Sequence, residues 1–263
     1  MAVQNIGRLD GKVAIVTGAS RGIGQAIALK FAEEGATVIA AARTVADLAD
    51  TAAQGAGRIV TQTCDVQQAA DVQALVNRAA NEFGGLDVMV NNAGVALQDL
   101  LVDVTEADWD TTMNTNVKGT FWGLKFAIPA MKAGGSIINL GSITSFAAEQ
   151  TSSAYVTSKG AVLMLTKNAA AETAPLGIRV NIICPGPVDT PMARVYFEAT
   201  MGSAEKTEKF VRTFAPLTGL IPTEDIARAA LFLATDESRS MTGSSLLIDG
   251  GLLASWDHLE PAT

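Results

Sequence analysis

A tyrosine and a lysine four residues apart are the first pair in this sequence that could do chemistry together. Tyr155 and Lys159 fall in a predicted helix, where this spacing places both side chains on one face, one turn apart. A free phenol titrates near pH ~10 and is a poor acid–base catalyst at neutral pH. Because a nearby ammonium group stabilises a phenolate, we expect Lys159 to lower the pKa of Tyr155 and make its proton exchangeable.

A serine upstream can reach the same point. Ser142 follows a short apolar segment that is predicted to be a buried strand, and its hydroxyl there can polarise a carbonyl oxygen. A phenol, an ammonium group and a hydroxyl together predict proton transfer to or from the oxygen of a ketone or alcohol. Taken alone, Tyr155 and Lys159 could also be an amphipathic tyrosine beside a solvated lysine, which the motifs that follow disfavour.

A glycine-rich turn after the first predicted strand indicates phosphate binding. Gly18 permits a tight turn, Gly22 lets the backbone approach a pyrophosphate, and Gly24 lets the next helix pack against the strand. The unpaired N–H groups at the start of that helix then face the phosphates. The residues of this turn that we expect along a dinucleotide are Gly18, Ser20, Arg21, Gly22, Ile23 and Gly24.

The end of the second predicted strand bears on which dinucleotide binds. A site for NAD usually has an acidic residue there, which binds the ribose 2′-hydroxyl. This strand instead ends in Ala42 and Arg43, and Arg21 adds a second cation from the glycine-rich turn. An arginine binds a phosphate through two hydrogen bonds, so these residues predict NADP(H) as the cofactor.

The composition excludes several other classes of function. With a net charge of −8 the chain is expected to bind neither nucleic acid nor an anionic membrane. His258 is the single histidine, and Cys64 and Cys184 lie far apart, so we expect no metal site and no histidine-dependent hydrolase. No signal peptide and no apolar run of ~20 residues are evident, so we expect a cytoplasmic protein.

Apolar runs alternate with segments of helical period along the whole chain, which predicts one domain over residues 1–263. Near-continuous apolar runs are typical of strands buried on both faces of a parallel sheet, and the repeated alternation predicts a doubly wound α/β sheet with ligands at the carboxyl ends of its strands. The predicted strands are 13–17, 37–41, 58–63, 86–91, 136–140, 178–183 and 245–248. The predicted helices are 22–34, 46–54, 69–83, about 106–131, 153–173 and 224–234.

Residues 192–219 interrupt this alternation and are predicted to form a substrate lid. The lid carries Tyr196, Met201, Phe210 and Phe214, which indicate an apolar, bulky or cyclic substrate, although the same side chains could instead pack the lid down or contact another subunit. Residues 252–263 are a C-terminal tail. The candidate substrate pocket comprises Phe146, Glu149, Gln150, Pro187, Met192 and Phe197.

Several motifs in the same order and spacing make the chain resemble the classical short-chain dehydrogenase/reductase family over essentially its whole length. They are the glycine-rich turn from Thr17, Asp65-Val66, Asn91-Asn92-Ala93-Gly94, Asn116 in Asn-Val-Lys-Gly, Ser142, Tyr155 with Lys159, and Pro185 to Thr190. The resemblance implies a single-domain, Rossmann-like, doubly wound sheet of seven mostly parallel strands with helices on both faces. It also implies a homotetramer that acts on a small carbonyl or alcohol substrate.

The resemblance further implies a role for each matching residue. Tyr155 corresponds to the general acid–base residue, Ser142 to the residue that orients the substrate oxygen, and Lys159 to the lysine that tunes the tyrosine and binds the nicotinamide ribose. Asn116 corresponds to the asparagine that holds a water in a proton relay. The remaining residues implied to line the cofactor are Asp65, Val66, Asn92, Ala93, Gly94, Pro185, Gly186, Val188 and Thr190.

Two alternatives remain open from the sequence. One is a 3-oxoacyl-(acyl carrier protein) reductase, which the net charge of −8 disfavours because the carrier is itself acidic. The other is a dinucleotide-binding protein without activity, although such a protein is expected to lose Tyr155 or Lys159. For assembly, residues 243–253 read as a final strand with an apolar tail, and covering that strand edge favours an oligomer.

Overall fold

The computed structural model describes residues 7–213, 215 and 217–254, without the side chains of residues 198–200. Seven strands form one sheet in the order β3-β2-β1-β4-β5-β6-β7, and every neighbouring pair is parallel. The strands are β1 Val13–Thr17, β2 Thr37–Ala42, β3 Ile59–Thr63, β4 Leu86–Asn91, β5 Met131–Leu140, β6 Arg179–Pro185 and β7 Ser245–Ile248. The predicted α/β class and strand number are confirmed.

Helices cover both faces of this sheet. They are α1 Gly22–Glu33, α2 Ala49–Gln54, α3 Ala69–Phe83, α4 Glu106–Met113, α5 Gly119–Ala130, α6 Ser153–Thr173, α7 Pro191–Met201, α8 Ala204–Arg212 and α9 Thr223–Ala234. Successive residues of β1 alternate between two cores: Ala14 and Val16 pack in the cluster with α1 and α9, whereas Val13 and Ile15 pack in the cluster with α3 and α5. Burial on both faces explains the near-continuous apolar runs.

Three predicted elements differ from the structure by more than one or two end residues. The helix expected over about 106–131 is divided into α4 and α5 by a π-helical turn, Asn114–Lys118. The helix expected at 46–54 is a 3₁₀ turn, Val45–Leu48, followed by α2. Strand β5 begins at Met131 instead of residue 136, because a bulge lets its first residue pair with Leu86 before regular pairing resumes.

The predicted lid is largely helical. Helices α7 and α8 cover most of residues 192–219, and they enclose a small core of Phe197, Val211 and Ala215. Phe214, which was expected in the lid, and His258, in the tail, lie outside the described residues. Of the predicted tail, Leu252–Ala254 form a 3₁₀ turn. Within the described part of the chain, no helix has the length and apolar composition needed to cross a membrane.

Candidate active site

A cavity of about 1120 Å³ opens at the carboxyl ends of the strands, where the order reverses between β1 and β4. Parallel sheets bind ligands at this reversal because the loops on either side diverge. The cavity is lined by every residue that the sequence predicts along the cofactor, and by Ser142. It is also lined by four of the six predicted substrate residues, namely Glu149, Pro187, Met192 and Phe197.

Three side chains converge on one wall of the cavity. Tyr155 lies in the first turn of α6, and its hydroxyl is hydrogen-bonded to that of Ser142, which follows β5. The Nζ of Lys159 lies 5.4 Å from the centre of the Tyr155 ring and donates a 2.8 Å hydrogen bond to the carbonyl oxygen of Leu140. Ser142 is held in turn by the Thr144 backbone N–H, which donates to its Oγ at 3.1 Å. The arrangement can polarise an oxygen atom and exchange a proton with it.

The electrostatics of this wall differ from the sequence-based expectation. Burial raises the pKa of Tyr155 to about 12, outweighing the hydrogen bond from Ser142, which lowers it. Burial also lowers the pKa of Lys159 to about 8. The expected lowering of the Tyr155 pKa by Lys159 is therefore wrong for the protein without ligands. Desolvation of the phenolate is the largest effect on the pKa of Tyr155. Lys159 is also so buried that its own positive charge is disfavoured.

Asn116 lies beside the cavity but does not line it. Its side chain is buried in the π-helical turn, where its Nδ2 donates 2.9 Å hydrogen bonds to the Val95 carbonyl oxygen and to the Ser158 Oγ. Its Oδ1 accepts a 2.9 Å hydrogen bond from the Val95 backbone N–H. The amide thus ties the loop after β4 to helix α6, which carries Tyr155. Its predicted role in a proton relay stays a prediction.

The glycine-rich turn fits closely against the loop after β4. A Cβ atom at position 24 would lie 2.2 Å from the carbonyl oxygen of Gly18, so only glycine allows α1 to approach β1 this closely. The Nδ2 of Asn92 donates to the carbonyl oxygens of Thr17 and Gly18 at 2.8 and 3.1 Å. Thr17 Oγ1 accepts from the Asn92 and Ala93 backbone N–H groups. The turn is thereby fixed with the start of α1 facing the cavity, as a pyrophosphate requires.

At the far end of the cavity, both predicted arginines are in place. Arg21 and Arg43 line it with exposed side chains, and Ala42, at the end of β2, is buried. The sequence reasoning missed Asp47, a carboxylate in the 3₁₀ turn after β2 that lines the same cavity. Cys64 also lines it but is buried, and burial raises the pKa of its thiol to about 12. No group of three potential metal-binding side chains occurs among the described residues.

Two predicted substrate residues do not line the cavity. Phe146 ends the 3₁₀ turn after Ser142 with its side chain 48% exposed, and Gln150 is exposed on the same loop. The predicted assignment of both residues to the pocket is not supported by this geometry. Polar residues that the prediction omitted line the cavity instead, among them Gln98 and Thr144. Neither residue belongs to a recognisable motif, so their role emerges only from the folded chain.

Comparisons with known proteins agree with this geometry. A family model described as enoyl-(acyl carrier protein) reductase matches residues 18–253. A 3-oxoacyl-[acyl-carrier-protein] reductase of Thermotoga maritima is 37% identical over 251 residues, covering 94% of this chain and 99% of that protein. (+)-Borneol dehydrogenase 2 of Salvia officinalis is 40% identical over 261 residues, covering 93% of this chain and 90% of that protein. The crystal structure of a short-chain type dehydrogenase/reductase from Mycobacterium marinum matches with a TM-score of 0.86 at 35% identity. The match covers 94% of this chain and 97% of that one.

Proposed function

The chain belongs to the classical short-chain dehydrogenase/reductase family, and we propose that it is an NADPH-dependent enzyme that interconverts a ketone and a secondary alcohol. The observation that carries the proposal is the convergence of Ser142, Tyr155 and Lys159 on the cavity that the glycine-rich turn also lines. Members of this family bind a nicotinamide dinucleotide. The fixed turn at the start of α1 and a cavity of about 1120 Å³ fit such a group.

A bound nicotinamide supplies the hydride for reduction of the carbonyl carbon and accepts it in the reverse reaction. Ser142 donates a hydrogen bond to the carbonyl oxygen and holds it beside the Tyr155 hydroxyl. Tyr155 transfers its proton to that oxygen, so the ketone becomes a secondary alcohol, and solvent then re-protonates the phenolate. The ammonium form of Lys159 stabilises the phenolate between these two proton transfers. Because burial raises the pKa of Tyr155 to about 12, the residue is protonated at neutral pH, as reduction requires.

The preference for NADPH is supported by the charges at the far end of the cavity. Arg43 follows β2 where a carboxylate would select the 2′-hydroxyl, and Arg21 approaches from the glycine-rich turn. Asp47 lies in the same part of the cavity wall and opposes a phosphate. One retained charge-assisted hydrogen bond is worth roughly 1.5–3 kcal/mol, and 1.4 kcal/mol is tenfold in affinity. We therefore expect NADPH to be favoured about tenfold, with a smaller preference at high ionic strength.

The substrate is a small, free carbonyl compound in this proposal. The similarity to (+)-borneol dehydrogenase 2 supports a cyclic secondary alcohol, whereas the similarity to the 3-oxoacyl-[acyl-carrier-protein] reductase supports the carrier-bound alternative. A net charge of −8 opposes docking of an acidic carrier protein, which favours the free substrate.

The predicted homotetramer is supported by exposed apolar surface. Strand β7 lies at one edge of the sheet, and its Leu247 is 45% exposed. A separate shallow cavity of about 570 Å³ on the surface of α5 and α6 is lined in part by Phe121 and Met164, which are 41% and 62% exposed. Large apolar side chains grouped on a surface are typical of subunit contacts.

A panel of ketones and secondary alcohols, assayed with NADPH and NADH side by side, tests the proposed function. We expect turnover of at least one ketone with NADPH, and a kcat/KM for NADPH above that for NADH at low salt. Binding of NADPH without turnover of any panel member would favour the inactive dinucleotide-binding alternative. Turnover only of carrier-linked 3-oxoacyl groups would establish the other alternative.

A further inference from the structure

The Ser145 hydroxyl bridges the two segments that carry the catalytic side chains. Its Oγ donates a 2.9 Å hydrogen bond to the backbone carbonyl oxygen of Lys159 in α6. It also accepts a longer hydrogen bond, of 3.4 Å, from the backbone N–H of Ser142, the residue that caps the 3₁₀ turn Ile143–Ser145. Ser145 itself is half-buried and does not line the active-site cavity. It can therefore act on a ligand only through the residues that it joins.

Proton transfer needs the Ser142 and Tyr155 hydroxyls on the same substrate oxygen, but the two residues belong to different elements. Ser142 follows β5, whereas Tyr155 lies in the first turn of α6. A reacting group displaced by about 1 Å can cost about 10²-fold in rate. The reaction therefore depends on how the turn after β5 is held against the start of α6.

Three hydrogen bonds among the described residues join the end of β5 and its turn to the first two turns of α6. Two of them use groups that the reaction needs: the Tyr155 hydroxyl is bonded to that of Ser142, and the Lys159 Nζ donates to the Leu140 carbonyl oxygen at 2.8 Å. The first rearranges when both hydroxyls bind a substrate oxygen, and in the second the Leu140 carbonyl competes with the phenolate for the ammonium group. The third is the Ser145 bridge, which uses a hydroxyl and a backbone carbonyl that take no part in proton transfer.

We propose that Ser145 is a positioning residue, which holds the hydroxyls of Ser142 and Tyr155 at the spacing that one substrate oxygen requires. The inference rests on the proposed function, because this spacing affects a rate only if both hydroxyls act on one oxygen. Without the Ser145 hydroxyl, the turn after β5 is released from α6 at this point. Proton transfer should then slow, whereas binding of NADPH along the glycine-rich turn should change little.

The first experiment measures the single-turnover rate constant for ketone reduction in the wild type, Ser145→Ala and Ser145→Thr. Alanine removes the hydroxyl but leaves no carbonyl unpaired, because the Lys159 carbonyl oxygen keeps its hydrogen bond within α6. We expect Ser145→Ala to lower the rate constant about tenfold, with the KM for the ketone and the affinity for NADPH nearly unchanged. Threonine keeps the hydroxyl and should retain most of the activity. An unchanged rate in Ser145→Ala, or an equal loss in both variants, would overturn the proposal.

A matched control is available in Ser136, a buried serine whose Oγ donates a 2.7 Å hydrogen bond to the backbone carbonyl oxygen of Leu233. That oxygen also accepts hydrogen bonds from Arg179 and Ser238, so Ser136→Ala leaves it paired as well. We expect Ser136→Ala and Ser145→Ala to lower the free energy of unfolding comparably, and Ser136→Ala to leave the single-turnover rate unchanged. An equal loss of rate in these two variants would show that the effect is merely structural and would refute the positioning role.

A double-mutant cycle tests whether Ser145 acts through the spacing of two hydroxyls. In a Ser142→Ala background only the Tyr155 hydroxyl is left, so the additional change Ser145→Ala should cause little further loss of rate. A further loss of about tenfold would show that Ser145 acts independently of Ser142, against the proposal.

A spectroscopic measurement separates this inference from the proposed function. The chain has two tyrosines, so protein labelled with carbon-13 at the tyrosine ζ-carbon gives two signals, which Tyr196→Phe assigns. In the ligand-free protein, the Tyr155 signal should shift in Ser145→Ala, where its hydrogen bond to Ser142 is altered, and should stay in place in Ser136→Ala. This shift would uphold the role of Ser145 in spacing the hydroxyls even if no ketone were reduced. An unshifted signal would overturn that role even if ketone reduction by the wild type were demonstrated.

Discussion

Replacing Lys159 by methionine should make the ligand-free protein more stable while removing its activity. Lys159 is 6% exposed, and burial lowers its pKa from 10.5 to about 8. Each pKa unit corresponds to about 1.4 kcal/mol, so the ammonium form costs the folded state about 3 kcal/mol at neutral pH. Methionine has a similar length without the charge. Loss of the 2.8 Å hydrogen bond to the Leu140 carbonyl oxygen costs about 1 kcal/mol, which leaves a net gain of about 2 kcal/mol.

The sign of the pH dependence makes this prediction specific. Between the folded pKa of about 8 and the unfolded value of 10.5, the unfolded chain binds more protons at Lys159 than the folded chain does. Lys159 therefore destabilises the folded state less as pH rises through this window. Below pH 8 its destabilising effect is fully present. From pH 7 to pH 9 the free energy of unfolding of the wild type should therefore rise by about 1 kcal/mol relative to that of Lys159→Met. Tyr155 titrates at higher pH and is present in both proteins, so it does not affect the comparison.

Urea unfolding of both proteins without cofactor, at pH 7 and pH 9 and at one protein concentration, measures the two free-energy differences. Lys167→Met is the matched control, because Lys167 lies on the same helix with an exposed side chain. It should change neither the stability nor its pH dependence appreciably. A Lys159→Met variant that is less stable than the wild type at pH 7, or a difference that is equal at both pH values, would refute the reasoning.

Three further predictions concern catalysis, the cofactor and assembly. Tyr155→Phe should lower kcat about 10²–10⁴-fold and leave the affinity for NADPH, measured by fluorescence titration, nearly unchanged. If the variant kept a tenth of wild-type turnover with chemistry rate-limiting, the acid–base role of Tyr155 would be contradicted. Ala42→Asp combined with Arg43→Leu should reverse the preference for NADPH over NADH in steady-state kinetics. If the wild type itself had an equal or higher kcat/KM with NADH, the arginines would not select the 2′-phosphate. Analytical ultracentrifugation should show four 27.2 kDa chains associated, and a stable monomer at micromolar concentration would exclude the tetramer.

The features that the sequence predicted correctly are those with local causes. Tyr155 and Lys159 share a helix face because four residues make about one turn, and helix α6 spans the predicted residues 153–173. The strands followed from apolar runs buried on both faces of the sheet. The turn residues Gly18 and Gly24 followed from the close approach that a phosphate-binding turn requires.

The features that it did not predict depend on contacts between distant segments. Asn116 lies in a π-helical turn, and its amide donates hydrogen bonds to Val95 and Ser158, which no periodicity reveals. The exposed position of Phe146 depends on the geometry of the short turn before it. The raised pKa of Tyr155 is a consequence of burial, which outweighs the lowering effect of Ser142.

The active-site wall combines groups that are each unfavourable in the ligand-free protein. Lys159 is buried as a cation that titrates at about pH 8, and the Thr144 hydroxyl has no partner among the described residues. Such groups destabilise the fold by about 1–3 kcal/mol each, and they persist where the surrounding structure compensates for them. A ligand that pairs with Lys159 removes part of this destabilisation, so it binds the folded state more strongly than its other contacts alone would allow. The same burial keeps Tyr155 protonated, which sets the ligand-free enzyme in the form that donates a proton and not in the form that accepts one. Oxidation of an alcohol must therefore start from the minor, ionised form of Tyr155, and its rate should rise with pH until that phenol is ionised.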